Sequence, residues 1–437
     1  MDRPAPIKPE PEPEPDRELS QLTACESTND SKKSGTTDIA ACCRLGQAAV
    51  RICSVELWCA AIASTLIPIG LLWDFSWENT IGIDRFWSPP HLTVNAGVWL
   101  MGLLGVRLVA KFSRTRNRGE QEIGIRIGPL AAPAGAWIFL WGAALFQLAL
   151  PLDNWWQQAY GLGAGLWHPP QILKAVSFVT ILFGAMALSG TQSDLVTGAG
   201  LSQPQHVLER SEPLRLGQPR SNVSAFFIWH SGLLLTIGAI FLTVESYANW
   251  QHGAWFYKIS ALIYPAALFA GCRDSKRWAA TQTALIYTIL LGAMVWLLPL
   301  FPAKPLTAPI HNPTDHMLPP AFPLLLFFPA IGFDLLRLKF SGVKLAVLAS
   351  LTFVITFTSA QWFFAEFLLS PHADNWFFAG GGKHWPFFLK IDQARVMFWN
   401  AKQDPITLPA ILLTIVFAAI SSWLGLQLSS WLNKLRR

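Results

Sequence analysis

Trp73–His91 reads WDFSWENTIGIDRFWSPPH, and an apolar run stands on either side of it. Each run approaches the roughly 20 residues that cross a hydrocarbon layer, so the stretch reads as a short polar hairpin between two membrane spans. It concentrates Asp74, Glu78, Asp84 and His91 in a chain of which only 14% is charged. Asp74 and Glu78 are four apart, so a helix continued through Glu78 places both carboxylates on one face, one turn apart. Pro89 and Pro90 stop the chain and restart it. Proline suits a helix start, which puts His91 in the first turn of the next span. Two carboxylates and one imidazole then meet at the membrane surface, and these are metal-ligand types at a spacing one site accommodates. The structural alternative is that the acids cap or solvate one helix end and the histidine caps the next.

The same residues carry a resemblance. The stretch resembles the metal-site motif of the C subunit of the particulate methane and ammonia monooxygenases, the copper membrane monooxygenases. There Asp-x-Ser-Trp-His is followed by Arg-Asp and Thr-Pro-x-His. Asp74, Glu78 and His91 stand at that family's ligand positions, and Ser76, Trp77, Asp84 and Pro89 match as well. The chain departs at Glu78, where the family has histidine, and at Ile83, where it has arginine. The resemblance is confined to residues 74–91 of 437, and extends to bacterial multi-pass proteins that repeat such a hairpin. It implies a metal-dependent membrane oxidoreductase, or a subunit of one that works with other membrane subunits, acting on a small-molecule or lipophilic substrate. The cofactor is a divalent ion or copper. Glu78 tells against copper, because two oxygens and one imidazole suit zinc, iron or manganese better than copper(I).

The surrounding composition supports a membrane setting. The chain is 52% hydrophobic, with 21 Trp and a mean hydropathy of +0.35. Soluble domains average about 25% charged residues. The expected fold is an all-α integral membrane protein with about ten spans, near 54–73, 91–111, 134–151, 170–190, 223–244, 254–272, 279–301, 320–338, 343–368 and 406–430. The spans at 134–151 and 170–190 are the shortest. Lys and Arg crowd alternate loops, among them Lys111, Arg114 and Arg116, then Arg273, Lys276 and Arg277, then Arg337, Lys339 and Lys344. The positive-inside rule then places both termini in the cytoplasm of a cell whose plasma (inner) membrane holds the chain. Lipid is the expected partner. The net charge of +6 forms no basic stripe on a soluble domain, so nucleic acid is not expected.

Residues 1–45, opening MDRPAPIKPEPEPEPD, alternate Pro with Glu and read as a disordered cytoplasmic tail. Residues 46–437 form the polytopic domain. All six cysteines fall in the tail or toward the inner ends of spans, so no disulfide framework is expected. Seven of the nine histidines fall on the outer side.

The hairpin also recurs. Asp153-Asn154-Trp155-Trp156-Gln157 parallels Asp74 to Glu78, and Pro169-Pro170-Gln171 parallels Pro89-Pro90-His91. A fainter copy runs Ala248-Asn249-Trp250-Gln251-His252, with Pro265 beyond it, and Asp374-Asn375-Trp376 echoes the triplet. Helix-pair repeats near 54–111, 134–190 and 223–272 would run in parallel, ringing one outward vestibule. The alternative is that Asn-Trp and Pro-Pro merely anchor and start helices. Around the metal candidates Asp74, Glu78 and His91, the vestibule candidates are Asp84, Asp153, His252, His311, Asp315, His316, Glu366, His372, Asp374 and His384. Asp84 reads as orienting a ligand or pairing with Arg85. The aromatic loop 369–405 reads as a lid or plug. Gly380, Gly381 and Gly382 are turn glycines, since no strand-to-helix context follows. Walker, dinucleotide and zinc-finger patterns are absent, as is a local nucleophile signature. The rival class is a transporter or channel without catalytic activity, against which stand few buried charges and no glycine-broken span.

Overall fold

A computed structural model describes residues 52, 54–82, 87–114, 124–161, 168–198, 219–242, 248, 251–272, 277–306, 315–373, 375–378 and 404–434. The tail read at 1–45 lies outside them, as do Asp84, His311, Asp374 and His384.

The described residues form α1 (Ser54–Thr80), α2 (Pro89–Arg114), β1 (Ile125–Ile127), β2 (Leu130–Ala132), α3 (Ala134–Tyr160), α4 (Pro169–Gly198), α5 (Pro219–Leu242), α6 (Ala254–Ala270), α7 (Ala279–Leu297), α8 (Phe327–Arg337), α9 (Gly342–Leu368) and α10 (Leu408–Lys434). Eight of the helices are long and apolar enough to cross a bilayer. The molecule is an all-α membrane protein. Among the described residues one small antiparallel hairpin pairs Ile125 with Ala132 and turns at Gly128, whose φ of 60° is the left-handed region glycine tolerates.

Several element boundaries differ from the sequence reading. The α3 and α4 helices, expected to be the shortest, are 27 and 30 residues long. The polar end of α3, Asp153–Tyr160, stays helical while Trp156 packs its ring 4.5 Å from Tyr160 and 5.9 Å from His168. The shortest helices are instead α6, with 17 residues, and α8, with 11. The span expected at 320–338 is discontinuous: residues 317–325 are neither helix nor strand, and only Phe327–Arg337 is α-helical. Pro319, Pro320 and Pro323 are the cause, since each lacks the N–H a helix would use. They also lighten the requirement that buried backbone donors be satisfied. Four of the remaining N–H groups find partners outside the segment. Met317 donates to Phe301 O at 3.0 Å, Leu318 to Thr80 Oγ1 at 2.9 Å, Leu324 to Tyr287 Oη at 3.0 Å and Leu325 to Gln361 Oε1 at 2.9 Å.

Helix pairs approach closely where small residues replace side chains. A methyl group at Gly135 of α3 would stand 2.3 Å from Leu188 N and 2.5 Å from Gly184 O of α4. With lipid as apolar as leucine, such close packing is what holds membrane helices together. Around α5 to α9 the core is aromatic: Phe269 stacks on Phe333 at 4.6 Å and Phe353 on Phe357 at 5.0 Å. Trp87, Trp155, Trp255 and Trp376 are exposed near one end of the helices, and Trp278 and Trp431 near the other, as two interfacial belts require.

The two ends differ in chemistry. At the end holding the α1–α2 connection, here the hairpin end, the α7–α8 segment docks on the last turns of α1. Ser76 Oγ donates to Leu318 O at 2.5 Å, and Leu306 N donates to Ile81 O at 2.9 Å. Trp296, Phe322, Phe364, Phe367, Phe377 and Phe378 build an aromatic cap there, and the Trp296 indole donates to Phe377 O at 2.7 Å. At the opposite end, Lys111 holds Glu56 at 3.0 Å. The buried Asp334 of α8 accepts the Ala280 and Thr281 N–H groups at 3.2 and 2.8 Å, capping α7 from another helix. Arg337 braces that carboxylate at 3.3 Å and donates to Cys272 O at 3.1 Å.

Candidate functional site

The α1 helix does continue through Glu78, ending at Thr80, and α2 opens on Pro89. Asp74 and Glu78 are therefore one turn apart on one helix, and His91 lies in the first turn of the next. The hairpin folds back so that His91 Nε2 stands 3.5 Å from Asp74 Oδ2, with both side chains mostly buried. Glu78 is exposed. Among the described residues no three His, Cys, Asp or Glu side chains gather closely enough to hold a metal together. The structure thus joins two of the three expected ligands and leaves the third a turn farther along α1.

A second pairing of the same kind closes the α3–α4 hairpin. His168 Nε2 lies 3.8 Å from Asp153 Oδ1. The sequence comparison sets Gln171 opposite His91, after Pro-Pro; the residue that meets the aspartate is His168, immediately before Pro169-Pro170. The misleading signal was strict alignment on the prolines. Lys174 Nζ reaches Asp153 Oδ2 at 2.6 Å, and Gln157 Nε2 donates to the same oxygen at 3.2 Å. Burial pulls the His168 imidazole below the usual value of 6.5; Asp153 acts against that shift and Lys174 with it.

The remaining expected residues are spread over the same end. His252, beside α6, meets Glu366 of α9 at 3.1 Å and sets its ring 4.4 Å from Trp362. Its carboxylate therefore comes from a helix outside the α5–α6 pair. His316 Nδ1 lies 2.9 Å from its neighbour Asp315 Oδ1 rather than against Asp74, and both are substantially exposed. His372 is exposed on a single turn of 3-10 helix, Pro371–Ala373. Asp404, not singled out in the sequence, accepts the Trp255 N–H and stands 3.7 Å from Lys258 Nζ. Four of the six described histidines thus sit beside a carboxylate, all at the hairpin end. His230, buried in α5, instead places Nδ1 2.6 Å from Phe226 O.

A cavity of about 310 Å³ opens between α4, α5, α6 and α10. Its walls are apolar side chains such as Val176, Ile237, Ile263 and Leu428, with Gln171 as the polar residue at one end. It suits hydrocarbon rather than a polar solute.

Comparison with known families, with curated proteins and with solved structures returns no match.

Proposed function

We propose that this multi-pass membrane protein binds a divalent transition metal at Asp74 and His91, with Glu78 as the third donor, on the non-cytoplasmic face of the plasma membrane. The carrying observation is the 3.5 Å between Asp74 Oδ2 and His91 Nε2. That is longer than a direct hydrogen bond, which runs about 2.7–3.2 Å. Two donors at that separation could both ligate one divalent ion, with bonds of about 2.0–2.2 Å. The donor chemistry fits, with oxygen and imidazole donors that favour zinc, manganese or iron over copper(I).

The chain's own contribution is to hold this pair still. Ser76 and Thr80, on the α1 turn between and beyond the two acids, lock Leu318 by two hydrogen bonds of 2.5 and 2.9 Å. The helix bearing Asp74 and Glu78 is thereby fixed against the α7–α8 segment, and Pro89 and Pro90 fix the entry of His91. A bound ion would supply Lewis-acid or redox chemistry at a position open to water or substrate. The reaction class that the resemblance implies is oxidation of a small or lipophilic substrate at the membrane surface. Asp–His contacts close both α1–α2 and α3–α4, though from histidines on opposite sides of Pro-Pro, and the equivalent aspartates support a parallel duplication of helix pairs. The test is metal content of purified protein, wild type against His91→Ala. The expected result is one ion per chain that falls at least tenfold in the variant; equal substoichiometric metal in both removes the reading.

One observation favours a second reading, a transporter. The non-helical segment 317–325 followed by the 11-residue α8 is the kind of broken span from which carriers build solute sites. Cysteines introduced at Ala321 and Phe322 would then be labelled alternately from both faces as solute is added; labelling from one face throughout tells against transport.

A further inference from the structure

The α3–α4 hairpin turns three groups toward one carboxylate. Asp153 is only 8% exposed. Lys174 Nζ lies 2.6 Å from its Oδ2, the Gln157 amide donates to that oxygen at 3.2 Å, and His168 Nε2 stands 3.8 Å from Oδ1. Asp153 Oδ1 and His168 Nδ1 are buried without a hydrogen-bond partner. A carboxylate taken out of water requires a cation beside it, and here the chain itself provides one.

The register of the two hairpins shows where that cation comes from. Both α2 and α4 open on Pro-Pro, and Lys174 is the sixth residue of α4 as Val94 is of α2. Val94 faces α1: a methyl group at Gly70 would stand 2.6 Å from its Cγ2. Gly70 is one turn before Asp74. The position that faces the partner helix just below the aspartate therefore bears an isopropyl group in the first hairpin and a butylammonium in the second.

We propose that the α3–α4 hairpin is a latent divalent-cation site silenced by Lys174. Asp153 Oδ1 and His168 Nε2, 3.8 Å apart, are the same donor types as Asp74 and His91 at 3.5 Å, so an ion would draw them slightly together, with the Gln157 amide beside them. The ammonium on Oδ2 neutralises the carboxylate and repels any divalent ion approaching Oδ1. Being covalently attached, it cannot exchange, so this end of the molecule is pinned whatever the metal supply, and an exchangeable ion is directed to the first hairpin alone. The inference rests on reading these Asp–His pairs as cation sites.

The experiment titrates zinc(II) into full-length protein in detergent by calorimetry and counts bound zinc by mass spectrometry, with gel filtration as the folding check. His91→Ala serves as the background that removes the first site. Adding Lys174→Met is expected to gain one zinc per chain, bound at least tenfold more tightly than any zinc in the background. Lys174→Arg keeps the charge and should gain none. A further Asp153→Asn should abolish the gain. Lys174→Gln replaces Lys174→Met if the latter does not fold. A folded neutral variant that binds no more zinc than the background overturns the proposal. Wild type binding one zinc that His91→Ala removes, with no gain from Lys174→Met, refutes this inference alone. Wild type binding none while the Lys174 variant binds one refutes the first-hairpin reading alone.

Discussion

Removing the Asp334 carboxylate should cost more than any other single polar truncation at the end of the molecule opposite the hairpins. Asp334 is fully buried. It accepts the N–H groups of Ala280 and Thr281 at 3.2 and 2.8 Å and the Thr281 hydroxyl at 2.8 Å, and it pairs with Arg337 at 3.3 Å. Asp334→Ala leaves two backbone donors at the α7 N-terminus without their acceptor, and each buried donor so stranded costs about 1–3 kcal/mol. It also strips a mostly buried guanidinium of its carboxylate, and breaking such a pair costs about 3–5 kcal/mol. These losses overlap, because Arg337 keeps its bond to Cys272 O and the structure relaxes. The expected destabilisation is about 3–5 kcal/mol. Asp334→Asn keeps an acceptor for Thr281 and should lose about 1–3 kcal/mol. Reversible unfolding in mixed micelles of dodecyl maltoside and dodecyl sulfate measures both. In a double-mutant cycle, Arg337→Met should be far less harmful once Asp334 is gone. An Asp334→Ala variant destabilised by less than about 1 kcal/mol, or additive with Arg337→Met, would refute the view that this carboxylate joins α7 to α8.

Gly135→Ala should destabilise by at least about 1–3 kcal/mol, because its new methyl meets backbone atoms of α4 at 2.3 and 2.5 Å that cannot rotate away. Gly102→Ala, whose methyl meets only the Ala143 Cβ at 3.4 Å, is the control expected to fold normally by the same unfolding assay. For pH, the folded His168 has a lower pKa than the unfolded chain, so its neutral form contributes stability above about 6.5 that is lost as pH falls through the folded value. Thermal midpoints from pH 7.5 to 5 should therefore fall more steeply for wild type than for His168→Gln; parallel profiles would show that His168 is not the group responsible.

Hydrophobic run length and proline placement are one-dimensional properties, and they were legible without coordinates. The all-α membrane class and the start of α2 at Pro89 follow from them, because backbone satisfaction in lipid allows little else; that α1 runs seven residues past its apolar run, aligning Asp74 with Glu78, was decided by the fold. The proline cluster Pro319, Pro320 and Pro323 carried its message too. It was outweighed by hydropathy, which registers apolar character but not the loss of N–H donors. Partner choice belonged to the tertiary structure. Whether His168 or Gln171 meets Asp153 turns on how the connector returns, not on its distance from Pro-Pro. Glu366 reaches His252 from a helix more than a hundred residues away, and Asp334 caps a helix that ended long before it in the chain. The donor types at the hairpin end were written in the sequence. Their assortment into pairs, with Lys174 in one and Val94 at the same register in the other, was decided by helix packing, because only packing sets which side chains share a distance short enough for charge to matter.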